Sequence, residues 1–304
     1  MAPGASGWDL SFIPYYMTET ARWRSPPVDE AITVLKGAGY DGVEWMLGQH
    51  FRDAQELRSL VARTRASGLV VSDIMCWQDL VTSDEAARKE RVEKLRTMLA
   101  TAAELEVPLM NVFTGPMTWN QGAERLGREI SEGDAWRVVL DSLSSVLETA
   151  EELRVFVTVE PVFGMLVHDY YTVRELLGRL GSRYLGVNVD PSHFALYGND
   201  VAWAVRMLGD RVRHVHVKDV FGRPGAFGET FSFPFLGEGI VDWQGFFGAL
   251  RDVDYRGFLS LEFENDRYLN NVCGGDWARA AVELKARAEK LLPARRPPPA
   301  AAQG

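Results

Sequence analysis

Short runs of β-branched, aliphatic and aromatic residues alternate along the chain with longer stretches whose apolar positions recur at helical spacing. That is the pattern of βα units on a parallel sheet. Eight runs predict strands at Trp8–Tyr16, Tyr40–Leu47, Leu69–Trp77, Val107–Pro116, Val155–Val162, Tyr184–His193, Val212–Val220 and Gly257–Asn265. Each leads into a helix candidate. The clearest are Asp84–Leu105, Gly133–Leu153 and Asp276–Leu292, while Val28–Gly39 ends on a glycine of the kind that closes helices. Eight parallel units can close into a barrel, whereas an open doubly wound sheet usually carries a Gly-rich phosphate turn after its first strand. No G-x-G-x-x-G follows the first strand here, and the segment Met17–Pro27 is polar and aromatic instead. The expected fold is α/β: a single (β/α)8 barrel of the TIM type over residues 1–292, followed by a Pro/Ala-rich flexible tail over 293–304.

Composition narrows the function classes. The 304 residues are 46% hydrophobic and 25% charged, the proportions of a globular protein. Lys plus Arg number 33 against 42 for Asp plus Glu, a net charge of -9, which argues against nucleic acid as a partner, since binding to a phosphate backbone needs clustered cations. Cys76 and Cys273 cannot make a disulfide framework, and the opening Met1-Ala-Pro-Gly-Ala-Ser has neither a basic nor an apolar region, so a cytoplasmic location is expected. No apolar stretch is long enough to predict a membrane span. Helices with apolar residues on two sides are compatible with a homo-oligomer.

A barrel of this kind carries its chemistry at the carboxyl ends of the strands. Strand five ends Thr158-Val-Glu160-Pro, strand six Asn188-Val-Asp190-Pro-Ser-His193, strand seven reads His214-Val-His216-Val-Lys218-Asp219, and strand eight Ser260-Leu-Glu262-Phe-Glu264. Neighbouring strands bring Glu160, Asp190, His216 and Glu262 to one rim. Three carboxylates clustered without a cation would repel and be costly to desolvate, and three hard oxygens with one imidazole suit Mn²⁺ first, then Mg²⁺ or Co²⁺. His214 and His216 share a strand face; His216, nearer the rim, is the preferred ligand.

Val159-Glu160-Pro, Asp190-Pro-Ser-His193, His214-Val-His216-Val-Lys218-Asp219, the Gly237-Glu-Gly239-Ile-Val-Asp242-Trp243 loop, Leu261-Glu262 and Gly39-Tyr40-Asp-Gly-Val-Glu44 together resemble the xylose-isomerase-like TIM-barrel superfamily of sugar isomerases and epimerases. The resemblance implies one divalent metal held by Glu160, Asp190, His216 and Glu262, with His193 beside the bound oxygens. It also implies that Glu160 and Glu262 remove and return a proton next to a carbonyl. His168, Lys218, Arg223 and Glu44 are further candidates for contacts to the substrate, and Asp242 reads first as a helix N-cap.

The expected function is a metal-dependent isomerase or epimerase of a small keto-sugar. The alternative is a lyase using the same first step: a dehydratase of keto-cyclitol or dehydroshikimate type, or a deglycosidase eliminating across a 3-keto-glycoside, including C-glycosides. The loop Phe221–Leu236 is aromatic with a single cation, Arg223, which favours a non-phosphorylated substrate. Trp77, Phe113, Trp119, Phe163 and Phe235 are candidates for stacking on a sugar, with core packing as their ordinary role. Two remoter alternatives are an AP-endonuclease-like nuclease, which needs more than the five histidines present, and a non-catalytic barrel.

Overall fold

The computed structural model describes residues 7–17, 23–120 and 122–293. The eight expected strands are β1 (Leu10–Phe12), β2 (Gly42–Met46), β3 (Val70–Cys76), β4 (Leu109–Val112), β5 (Phe156–Val159), β6 (Leu185–Val189), β7 (Val212–Val217) and β8 (Leu259–Leu261). They are all parallel and pair in chain order, and β8 returns to β1 through Leu259 opposite Leu10. At the last seam the Asp41 N–H donates to the Leu10 carbonyl at 2.9 Å and the Leu10 N–H donates to Asp41 Oδ2 at 3.0 Å, so the barrel nearly closes.

The helices are α1 (Val28–Gly37), α2 (Ala54–Ser67), α3 (Glu85–Glu104), α4 (Glu132–Leu153), α5 (Tyr170–Leu180), α6 (Pro191–Leu196), α7 (Val201–Leu208), α8 (Trp243–Asp252), α9 (Asp266–Asn271) and α10 (Trp277–Leu291). Among the described residues no helix is long and apolar enough to cross a membrane. Residues 294–304 of the expected tail lie outside the described residues.

The ladders are shorter than the apolar runs that announce them. The run Tyr184–His193 stops pairing at Val189 because Asp190 caps α6, and Pro191, at its first turn, has no N–H to give a ladder. Alternate strand residues face opposite ways. In β7, Val215 and Val217 join the apolar layer under the helices, whereas His214 and His216 point into the barrel and reach Glu44 on β2. The inward positions below the mouth are polar on most strands: Glu44, Asp73, Asn111, Thr158, Asn188 and His214 are all buried.

The mouth is two-sided. On the β1–β4 side, Ile13, Met46, Met75, Phe113 and Met117 form an apolar cluster, and on the β5–β8 side the strand ends carry acids and a histidine. Two short hairpins rise there, pairing Tyr16–Met17 with Trp23–Arg24 and Phe221–Gly222 with Phe231–Ser232. Asp219 folds the second loop back onto β7. Its carboxylate accepts from the N–H groups of Val220, Gly237, Gly239 and Val241 at 2.9–3.2 Å and from Trp243 Nε1 at 3.0 Å. A side chain at Gly239 would run into that carboxylate, so only glycine permits the approach.

Candidate active site

Glu160, Asp190, His216 and Glu262 are fully or nearly fully buried, and each offers a ligand atom within 4.8 Å of those of the other three. Glu160 ends β5. Its Oε2 accepts from Asn111 Nδ2 at 3.1 Å and Asn188 Nδ2 at 3.2 Å, which leaves Oε1 facing His216 Nδ1 at 3.1 Å. Asp190 divides its carboxylate. Oδ1 caps α6 through the Ser192 N–H at 2.8 Å, while Oδ2 turns to the centre with no hydrogen bond of good geometry, although Lys218 Nζ stands 3.0 Å away. Glu262 Oε2 is 3.4 Å from His216 Nδ1 and accepts from Lys218 Nζ at 2.8 Å.

Four buried carboxylates, counting Glu264, thus surround one ammonium and one imidazole. The charges decide the protonation states. Burial alone would lower the His216 pKa, but Glu160, Glu44 and Glu262 outweigh it and hold the ring well above the usual histidine value. Glu262 is held below the carboxylate range, because Lys218 and His216 overcome the cost of burial. Burial pushes Glu264 up to about 8, with Lys218 opposing and Glu262 assisting. Asp190 is raised by burial against the pull of Lys218. Without a metal, a proton on His216 supplies positive charge at the point where the carboxylates converge. An Asp190 Oδ2 that faces the centre with an ion pair to Lys218 but no well-formed hydrogen bond, among carboxylates that outnumber the cations, is what a hard divalent cation would relieve, so the donor set fits one.

The remaining candidates separate. His193, on α6, lines the cavity with its ring 3.4 Å from Asp190 Oδ2 and 3.9 Å from Glu160 Oε1. Burial and then Lys218 depress its pKa to about 3, so it is a neutral imidazole able to donate or accept. Lys218 also lines the cavity, but its three close partners are acids: Asp190, Glu262 and Glu264 at 2.7–3.0 Å.

Glu44 does not line the cavity. It lies beneath His216, accepting from His214 Nε2 at 2.9 Å and from His216 Nε2 at 3.1 and 3.2 Å. His168 packs its ring on Tyr197 at 4.6 Å between centroids, behind the wall, and Arg223 is exposed on its loop and is not a lining residue, although Pro224 next to it is. Trp77, Phe113, Trp119 and Phe163 line the cavity, and Phe235 is buried in the core. Asp242 caps α8 through the Gly245 N–H.

Tyr15 and Glu264 escaped the sequence reading. Tyr15 Oη donates to Glu262 and, at 3.1 Å, to Glu264. Glu264 has the signal of sharing a strand face with Glu262, two residues on. Tyr15 has no local signal, since only closure of the barrel brings β1 beside β8.

The family description "Xylose isomerase-like TIM barrel" matches residues 32–290. The chain is 25% identical over 272 residues, 84% of its length and 90% of the relative's, to a putative L-ribulose-5-phosphate 3-epimerase of Escherichia coli K12. It is 22% identical over 158 residues to an inosose dehydratase of Clostridium perfringens strain 13, a match spanning 48% of this chain and 52% of that one. Its fold resembles the crystal structure of an IOLI protein with a bound zinc atom, with a TM-score of 0.72 at 15% identity over 93% of this chain and 98% of that one.

Proposed function

The chain belongs to the xylose isomerase-like TIM-barrel family, and from that premise we propose that it is a divalent-metal-dependent isomerase or epimerase that moves a proton beside the carbonyl of a non-phosphorylated keto-sugar. The observation that carries the reading is the convergence of Glu160, Asp190, His216 and Glu262 on one point, with Glu160 and Glu262 opening onto the floor of a cavity. These four would hold the ion, Mn²⁺ by preference. When bound, it would polarise a carbonyl and so acidify the neighbouring C–H.

The chain's own residues would supply the rest. Glu262, ionised by Lys218 and His216, is one proton acceptor, and Glu160, oriented by Asn111 and Asn188, is the other. Neutral His193 would bond a sugar oxygen. Lys218 and Tyr15 would keep Glu262 in place and negatively charged, and Glu264, with its pKa near 8, would stand beside it as a second proton carrier. Among the described residues the cavity carries no arginine and one lysine that is already committed to carboxylates, which supports a substrate without phosphate.

The second reading is a lyase, supported by the similarity to an inosose dehydratase. It would begin with the same proton removal, and the fate of the carbanion equivalent would separate the two. The test is deuterium uptake from D₂O into a panel of ketopentoses, ketohexoses, keto-acids and 3-keto-glycosides in the presence of Mn²⁺. Exchange at carbon next to the carbonyl is expected, with at least a thousandfold loss in Glu160→Gln and Glu262→Gln. Recovery of an isomer indicates the first reading, and loss of water or of an aglycone indicates the second. No exchange with any member of the panel overturns both.

A further inference from the structure

Above the carboxylate floor, aromatic side chains encircle the mouth. From Tyr15, ring centroids follow one another at 4.9 Å to Trp23, 6.0 Å to Trp77, 6.1 Å to Trp119, 6.0 Å to Phe163 and 4.9 Å to Phe231. Phe233, 5.7 Å from Phe231, closes the series with Lys218 Nζ 4.5 Å from its ring centre. Both ends are tied to the same acids, because Tyr15 and Lys218 each bond Glu262 and Glu264. Of these rings Trp23, Trp77, Trp119, Phe163, Phe231 and Phe233 line a cavity of about 380 Å³ as a collar, and the buried Tyr15 joins its two ends from behind.

Polar side chains of the cavity gather on its floor, as Glu160, His193, Lys218, Glu262 and Glu264. Higher up, among the described residues and indole N–H groups aside, only Thr118 and Tyr197 contribute any, and the Tyr197 oxygen already accepts from the Gly164 N–H at 3.3 Å. A free hexose carries hydroxyls on every side, and those held against the collar would lose water without gaining partners. One or two rings suffice to cover the faces of a pyranose; a full collar is surplus to that need. At the open end Trp119 is 38% exposed and Phe227 packs 6.2 Å from Phe163 in nearly parallel stacking, so apolar ring surface is on offer where a substituent of the sugar would emerge.

We propose that the substrate is a keto-sugar bearing an aromatic substituent, an aryl glycoside in place of a free sugar, with its sugar on the polar floor and its aryl ring among Trp119, Phe163 and Phe227. The proposal rests on the keto-sugar reading above and names the class of substrate for that same site.

The test is calorimetric titration of the full-length protein with phenyl and with methyl 3-keto-β-D-glucopyranoside, which share the sugar and differ in the aglycone. The phenyl compound is expected to bind about tenfold tighter, near the top of the roughly 2- to 12-fold that one aromatic contact supplies. The ratio should fall below about threefold in Trp119→Ala and in Phe227→Ala, both at the rim and remote from the carboxylates, with thermal melts confirming that each variant folds. Equal affinities, no binding of either compound, or a ratio untouched by both substitutions overturns the proposal. Deuterium uptake is read in the same samples. Uptake without an aryl preference defeats this inference and leaves the proton-transfer reading standing, and an aryl preference without uptake does the reverse.

Discussion

Glu44→Gln tests whether Glu44 would hold the proposed metal site together or would touch the substrate. The Glu44 carboxylate receives two N–H groups at once, His214 Nε2 at 2.9 Å and His216 Nε2 at 3.1 Å, from full burial. Its acid range lies below the usual one, since His216 and His214 outweigh the cost of burial. By fixing the proton on Nε2, Glu44 leaves His216 Nδ1 turned toward Glu160 and Glu262. Glutamine has the same shape but a single acceptor oxygen, so one of the two histidines would meet an NH₂ group. One charge-assisted hydrogen bond is then lost, about 1.5–3 kcal/mol, and with it the hold on the ring. Converted to affinity this is roughly 10- to 150-fold, which overlaps the 10- to 100-fold typical of partners behind a metal-bound histidine. Calorimetric titration with Mn²⁺ should therefore show binding weakened by that factor in Glu44→Gln. Because Glu44 does not reach the cavity, KM for the sugar at saturating Mn²⁺ should move less than about twofold. Mn²⁺ affinity equal to that of the wild type together with a raised KM would refute the reasoning and return Glu44 to the substrate contact expected from its sequence.

Two further predictions concern the scaffold. Asp219→Ala strands five donors that fold the β7 loop onto the barrel, so it should cost more than about 3 kcal/mol in urea unfolding; a loss under about 1 kcal/mol would show that the loop is held otherwise. His50 accepts the Met46 N–H at Nδ1 and donates to the Pro14 carbonyl at Nε2, which leaves no place for a second proton, and burial pushes its pKa down to about 4. A histidine depressed from 6.5 contributes stability that is present above pH 6.5 and lost as pH falls toward 4. Discounted for a half-buried ring, the loss by pH 5 is about 1–2 kcal/mol. The stability gap between wild type and His50→Gln should narrow by that amount from pH 8 to pH 5; a gap independent of pH contradicts the assignment.

What could be read from the sequence, and what could not, follows from the geometry of a strand. The βα rhythm was legible because strand and helix periods differ, yet the run Trp8–Tyr16 joins the barrel ladder only over Leu10–Phe12, and Ile13 and Tyr15 continue past it into the buried apolar cluster beneath the mouth. Period two tells which residues face inward: it groups His214 with His216 and Glu262 with Glu264, and all four point into the barrel. It says nothing about depth. Glu44 and His216 are both inward, buried and within hydrogen-bond reach, but Glu44 stands one layer below, a difference set by the stagger between β2 and β7 and encoded in neither strand alone. Loop residues lack even the periodic signal. His168 and Arg223 had only their chemistry to recommend them, and the turns that carry them aim one at Tyr197 and leave the other in solvent. Direction is thus local information and depth is not, and under the proposed function the distinction between a residue that would grip an ion and one that would steady it is a distinction of depth. Substitutions chosen from sequence alone will therefore find the right face of a strand more often than the right layer, and Glu44 is where that difference can be measured.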